Sequence, residues 1–346
     1  MRIHRVIWTT LFAGVAILAA GCPGGGTGKT TKRLQGAGSS FVDPIMQEWA
    51  GLYQKDKGGE VNYQSKGSGA GINMMTDKEV DFGCSDAPLN AEQLATCKEK
   101  NGDVLHLPLC MGAIVPAYNV EGVSDLVLDG PTLLKIFMGT ISKWNDPALV
   151  KLNPKAKLPD LKISVGFRSD SSGSTYILSD YFTEIDKQAW TPGKGTAIKF
   201  SVGTGSKGND GVAGFVKDTK GAIGYVELIY AMKNSISYAS MVNAKGKTVK
   251  ASMESVTAAA ASAKIPEDLR YSIVNAPGED AYPIAGSTWA IVYVKQPAAK
   301  VEPLREFLTW IAHDGQKATK ELHYAPLPEN IVKMIDEKLK RIEANK

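Results

Sequence analysis

Short apolar runs alternate with stretches whose apolar residues recur every three to four positions, and the alternation continues along almost the whole chain. Residues 61–65, 80–84, 114–118, 223–228 and 289–294 read as strands, as do the alternating Ile163, Val165 and Phe167. Ile45, Met46, Trp49, Leu52 and Tyr53 form a helical stripe behind Asp43-Pro44, which reads as an N-cap followed by proline at the first helical position. Ile177, Leu178, Tyr181, Phe182 and Ile185 form a second stripe, and Val301, Leu304, Phe307, Leu308 and Ile311 a third. Strands alternating with helices predict an α/β architecture with mainly parallel sheets. A length of 346 residues predicts two domains, and no repeat of fixed period is present.

The N-terminus does not belong to that pattern. Arg2 and Arg5 precede an apolar run over residues 6–20, and Leu18-Ala-Ala-Gly-Cys22 places small residues before a cysteine. Residues 1–21 therefore read as a secretory signal peptide rather than a membrane span. The small residues before Cys22 resemble a bacterial lipobox, which makes Cys22 the lipid-attachment residue; ordinary cleavage with Cys22 as a bystander is the alternative. Residues 22–33, rich in Gly, Lys and Thr, read as a flexible tether. Loss of 21 residues leaves 325, long enough to bury a full core without disulfides. The net charge of +4 is spread along the chain and argues against nucleic acid as a partner.

Cys84, Cys97 and Cys110 remain after Cys22. Their spacing matches no zinc motif, and no metal or cofactor is expected. An odd number permits one bridge at most. Cys97–Cys110 is the preferred pair, and three buried thiols are the alternative.

Two glycine motifs mislead. Gly28-Lys29-Thr30 looks like the tail of a P-loop, but Pro23 stands where the first glycine is needed and no strand precedes it. Gly203-Thr-Gly205-Ser-Lys-Gly208 fits G-x-G-x-x-G, yet it lies mid-chain and runs into Asn209-Asp210-Gly211, a turn signal. It reads as a glycine-rich loop before a short helix over residues 212–217.

Three other segments share one design. Gly36-Ala-Gly-Ser39-Ser40-Phe41 precedes the helix at Asp43. Gly67-Ser68-Gly69-Ala70-Gly71 precedes the stretch at 72–75. Arg168-Ser169-Asp170-Ser171-Ser172-Gly173-Ser174 precedes the helix through Ile177. A helix N-terminus exposes unpaired N–H groups and a partial positive charge. Glycine lets a ligand approach the backbone, and serine hydroxyls add rotatable donors. One such loop is usually only a cap. Three in one chain, one of them carrying Arg168, point to an oxyanion site. Asp170 is placed to orient Arg168.

Asp86 follows the 80–84 strand, at the strand end where α/β folds bind ligands. A carboxylate repels an anion unless the anion carries a proton. Phosphate near neutral pH does, and sulfate does not, so an ionised Asp86 selects phosphate. Capping of a turn before Pro88 is the bland alternative.

At these residues the sequence resembles the phosphate-binding proteins of bacterial high-affinity phosphate ABC transporters. The likeness runs from Gly36 to Pro328. It includes residues 36–41, 81–89, 126–130, 141–146, 168–175, 207–212, 221–227 and 324–328. It implies a two-lobed periplasmic-binding-protein fold (type II), two α/β domains joined by a two-segment hinge with the ligand in the cleft. One lobe would comprise 34–119 and 286–346, the other 120–285. The resemblance implies phosphate contacts from Ser40, the Phe41 N–H, Ser68, Asp86, Arg168, Ser172, the Gly173 N–H and Ser174, with Asp170 behind Arg168. It also implies no catalytic residue, membrane permease subunits as partners, a lipid-anchored monomer and an extracytoplasmic location. Gly69-Ala70, Ser171 and Cys84 depart from the family pattern, and Ser40 and Ser174 stand where Thr is common. A receptor for sulfate or molybdate is the nearest alternative function. A secreted phosphatase-like hydrolase is further off, since His106, His313 and His323 show no metal spacing and no Ser sits in G-x-S-x-G.

Overall fold

The computed structural model describes residues 32–345. The signal peptide, Cys22 and the tether through residue 31 lie outside the described residues. Arg33, expected as the last residue of the tether, instead opens the first strand, and its Nε donates to Glu60 at 2.8 Å.

Nine strands form one sheet: β1 (Arg33–Gly38), β2 (Glu60–Ser65), β3 (Phe82–Ser85), β4 (Val104–Asn119), β5 (Ser164–Arg168), β6 (Thr204–Ser206), β7 (Ala222–Glu227), β8 (Ser237–Tyr238) and β9 (Ala285–Tyr293). Their order is β2-β1-β3-β9-β4-β7-β5-β6, with β8 also on β4. Each flank is parallel, as the strand–helix alternation predicts: β1 with β2 and β3, and β5 with β6 and β7. The centre is antiparallel, with β9 against β3 and β4, and β4 against β7.

The sixteen-residue β4 connects the flanks. Residues up to Ala113 pair with β9, and residues from Ile114 onward pair with β7. Beside this change of partner the Ile114 N–H donates to Ile284 O at 2.8 Å, where the chain returns into β9. The sheet therefore has a first half, built from β1–β3, β9 and the start of β4, and a second half, built from the end of β4 and β5–β8. The sequence reading found only the second part of β4. Residues 105–118 are buried throughout, so neither polar–apolar alternation nor a turn signal marks the strand's start.

Five helices flank or carry the loops of the site: α1 (Asp43–Lys57), α2 (Ser68–Thr76), α3 (Gly173–Ile185), α4 (Gly208–Asp218) and α5 (Ala298–Ala312). α1 buries Ile45, Met46, Trp49 and Tyr53, the expected stripe, and α5 buries Leu304, Phe307, Leu308 and Ile311. The N-cap of α1 is Val42, not Asp43. Asp43 is already helical, and its carboxylate accepts from the Gln47 amide one turn on at 2.9 Å.

No bridge joins the cysteines: Cys84, Cys97 and Cys110 are all free and buried, against the preferred Cys97–Cys110 pair. Cys97 lies on the helix Ala91–Lys100 with its sulfur 3.4 Å from Thr76 Oγ1. Cys110 is in β4, paired with Thr288 of β9. Cys84, in β3, pairs with Ala290 on the other edge of β9. A whole strand thus separates Cys84 from Cys110, about 10 Å, too far for a disulfide. Among the described residues no helix is long and apolar enough to cross a membrane.

Candidate functional site

The three serine-rich loops leave the C-terminal ends of parallel strands and meet where the sheet halves face each other. Ser39-Ser40-Phe41 follows β1, Ser68 opens α2 after β2, and Asp86 follows β3. Arg168 ends β5, and Ser172 caps α3 by accepting the Thr175 N–H at 3.2 Å. Each βα connection delivers its loop to the same edge, because parallel strands point the same way.

Contacts cross between the halves directly. The Gly173 N–H donates to Ser68 Oγ at 3.0 Å. The Gly69 N–H donates to Ser171 O at 3.0 Å. A Cβ on Gly173 would lie 2.4 Å from Asp86 Oδ2 and 2.6 Å from Ser68 Oγ, so no side chain fits there. Two of the departures from the family pattern also meet: a Cβ on Gly69 would lie 2.2 Å from Ser171 Oγ. The bare Gly69 makes room for the Ser171 side chain, which bonds Thr196 Oγ1 at 2.9 Å.

The site is closed to water. Ser40, Ser68, Asp86, Arg168, Ser172 and Ser174 are all buried, each at most 4% exposed. Arg168 is buried as an ion pair rather than a solvated surface group. Its Nε donates to Asp170 Oδ1 at 2.8 Å and its Nη2 to Oδ2 at 2.5 Å. Among the described residues nothing accepts from Nη1, so that end of the guanidinium is the donor face left for a ligand. Burial alone would raise the Asp170 carboxyl, but Arg168 and the Gly208 N–H outweigh it and hold the pKa below the usual carboxylate value. The Gly208 bond is 3.1 Å. The G-x-G-x-x-G segment is therefore not a bland loop: its centre is β6, paired with β5, and its last glycine braces the arginine's partner.

Asp86 is built as an acceptor. Ser39 Oγ donates to its Oδ1 at 2.6 Å and Thr288 Oγ1 donates to the same oxygen at 2.5 Å. Oδ2 takes no hydrogen bond from any described residue. Burial pushes the carboxyl up to about 6, against the lowering effect of Ser39, Thr288, the Arg168 charge and Ser68. Asp86 thus stays ionised at neutral pH with one oxygen held and the other open, which is what an anion bearing a proton requires.

Two expected backbone donors have protein acceptors: the Phe41 N–H donates to Ser39 Oγ at 3.0 Å, and the Gly173 N–H to Ser68. Sequence reasoning missed four supporting residues. Ser39 lies inside a motif already singled out, beside the serine chosen. Asn209 read only as a turn residue. Thr288 and Tyr225 carry no local signal: each is one polar side chain on a buried strand, reaching Asp86 and the Arg168 N–H (3.0 Å) only through the sheet.

The family model for a PBP superfamily domain matches residues 25–314. The phosphate-binding protein PstS of Xylella fastidiosa strain Temecula1 is 38% identical over 363 residues, covering 97% of this chain and 98% of that protein. The chain belongs to the PstS phosphate-binding protein family. A PstS of Haemophilus influenzae is 40% identical over 310 residues, covering 87% of this chain and 91% of the relative. Likeness in structure extends further than likeness in sequence. A phosphate-binding protein from Stenotrophomonas maltophilia aligns with TM-score 0.67 at 18% identity, over 89% of this chain and 94% of its own. An ancestral soluble variant of the human phosphate-binding protein aligns with TM-score 0.73 at 19% identity, over 88% and 93%. At such identities the likeness is one of fold, and it establishes for this family member the α/β architecture of the periplasmic-binding-protein type.

Proposed function

We propose that this protein captures inorganic phosphate outside the cytoplasm and delivers it to the permease subunits of an ABC transporter. One observation carries the reading: a buried site, shared by both halves of the sheet, that offers an arginine and serine hydroxyls as donors and one ionised carboxylate as acceptor. A monoprotonated phosphate matches that set, with its oxygens on Arg168, Ser40, Ser68, Ser172, Ser174 and the N–H groups of Phe41 and Gly173, and its proton on Asp86 Oδ2. The names of the relatives support phosphate as the ligand.

The chain acts by binding and needs no catalytic group. Its lobes are residues 34–119 with 286–346, and 120–285. The change of partner along β4 and the return at Ile284 support a two-segment connection between them. Cys22 carries the lipid, the folded body works as a monomer facing the periplasm, and the tether gives it reach. Titration calorimetry of the full chain in detergent, freed of endogenous ligand, tests the reading. One-to-one phosphate binding that excess sulfate leaves intact is expected. Heat from sulfate or molybdate, with none from phosphate, overturns the choice of ligand.

A further inference from the structure

Asn209 belongs to the segment read as a turn, and the structure buries it completely between the two halves of the site. Its backbone N–H and its side-chain Nδ2 both donate to Ser40 Oγ, at 3.2 and 3.0 Å. Nδ2 also reaches Ser174 Oγ at 3.4 Å. Its Oδ1 accepts the Glu227 N–H at 3.0 Å, where β7 meets the partner-changing point of β4. One side chain therefore joins a loop of the first half, a helix of the second and the strand between them.

The chemistry of the hydroxyl gives this arrangement a consequence. A serine oxygen has two lone pairs and one proton. At Ser40 both lone pairs are taken by Asn209. The hydroxyl can no longer accept from a ligand, and its proton is free to be donated outward. Ser174 is biased the same way. Asn209 cannot flip to present its oxygen instead, because Oδ1 is held by the Glu227 N–H. We infer that Asn209 is a specificity-determining positioning residue: it locks the ligand-facing hydroxyls of Ser40 and Ser174 as donors, so that Asp86 is the only acceptor a ligand proton can find.

A site of this kind recognises an oxyanion with a single acid proton and disfavours one carrying further protons, which would need a second acceptor. The inference rests on the phosphate reading proposed for this site, and the test separates the two. Titration of the native full chain with inorganic phosphate comes first; absence of binding there defeats the phosphate reading itself. Given native binding, Asn209→Ala should weaken phosphate binding by about 10- to 100-fold, the cost of losing well-placed bonds in a dry site. Asn209→Asp keeps the oxygen that accepts from Glu227, and so keeps the structural bond, but its carboxylate accepts from Ser40 and Ser174 instead of donating. Its affinity should fall further at pH 8 and recover towards the native value as the pH is lowered to 5, where the carboxyl introduced by the substitution takes up a proton and again offers a donor. A merely structural role would not produce that pH-dependent ratio. Native affinity in Asn209→Ala, or a ratio of native to Asn209→Asp affinity that stays constant from pH 5 to pH 8, overturns the inference.

Discussion

Gly173 and Ser68 stand on opposite halves of the sheet and share a hydrogen bond of 3.0 Å, the backbone N–H of one to the hydroxyl of the other. The bond exists because position 173 has no side chain. Gly173→Ala should therefore separate binding from folding. Alanine is the better residue in the first turn of α3, so the ligand-free protein should gain up to about 0.5–1 kcal/mol. The added methyl would meet Asp86 Oδ2 at 2.4 Å, so the halves could not close as they do here, and phosphate affinity should drop by more than about 100-fold. Paired unfolding and calorimetry check it; native affinity in this variant would show that the halves need not meet for binding.

Arg168 reaches the ligand through one end of its guanidinium while Asp170 holds the other edge. Arg168→Ala should weaken phosphate binding by about 3 kcal/mol or more, because it also strands a half-buried carboxylate. Arg168→Lys should recover little, since an ammonium cannot serve both the bidentate bond to Asp170 and the ligand. Affinities within threefold of native in either variant would remove Arg168 from the site.

Asp86→Asn tests the reading of the ligand's proton. The asparagine oxygen can still accept from Ser39 and Thr288, so the fold around it should persist. Its amide would face the ligand as a donor. Sulfate should then compete with phosphate, and the ratio of the two dissociation constants should fall by at least about tenfold. Competition calorimetry gives the ratio directly, and an unchanged ratio refutes the role.

The pH dependence of stability comes from the same carboxyl. Its pKa is raised in the folded protein from 3.8 to about 6, so the folded state holds the proton over a range where the unfolded chain has lost it. The contribution of Asp86 to stability therefore falls as pH rises through that window, by about 3 kcal/mol in all, of which about 1 kcal/mol is lost between pH 5 and pH 8. Glu227 adds to the trend. Burial and the nearby Asp86 raise its carboxyl well above the usual value, two N–H bonds and Tyr324 notwithstanding, and no described residue bonds its Oε1. Urea unfolding of the ligand-free chain should show Asp86→Asn gaining on the native protein by about 1 kcal/mol from pH 5 to pH 8. A pH-independent difference would contradict the buried, open carboxylate.

Legibility in the sequence followed the range over which each signal acts. The stripes of α1, α3 and α5 and the strands of the parallel flanks were readable because burial on one face imposes a period on neighbouring residues. The ligand loops were readable too, since Gly and Ser before a helix start state their chemistry within six or seven residues. Asp86 was readable as an acceptor because its strand-end position and its charge are both local.

Signals that reach beyond a single segment were not readable. The first part of β4 carries no alternation, because it is buried on both faces. Asn209 looks like any turn asparagine until the fold brings Ser40 to within 3.0 Å of its amide across 169 residues of chain. Thr288 lies 202 residues from the carboxylate it holds. The three cysteines allowed a bridge by count, and only the insertion of β9 between Cys84 and Cys110, with Cys97 turned to Thr76, ruled it out. The sequence by itself determined the elements, the family and the donors and acceptor of the site. The tertiary structure alone decided which way those groups point, because a hydroxyl or a carboxylate is oriented by whichever partner the folded sheet places beside it.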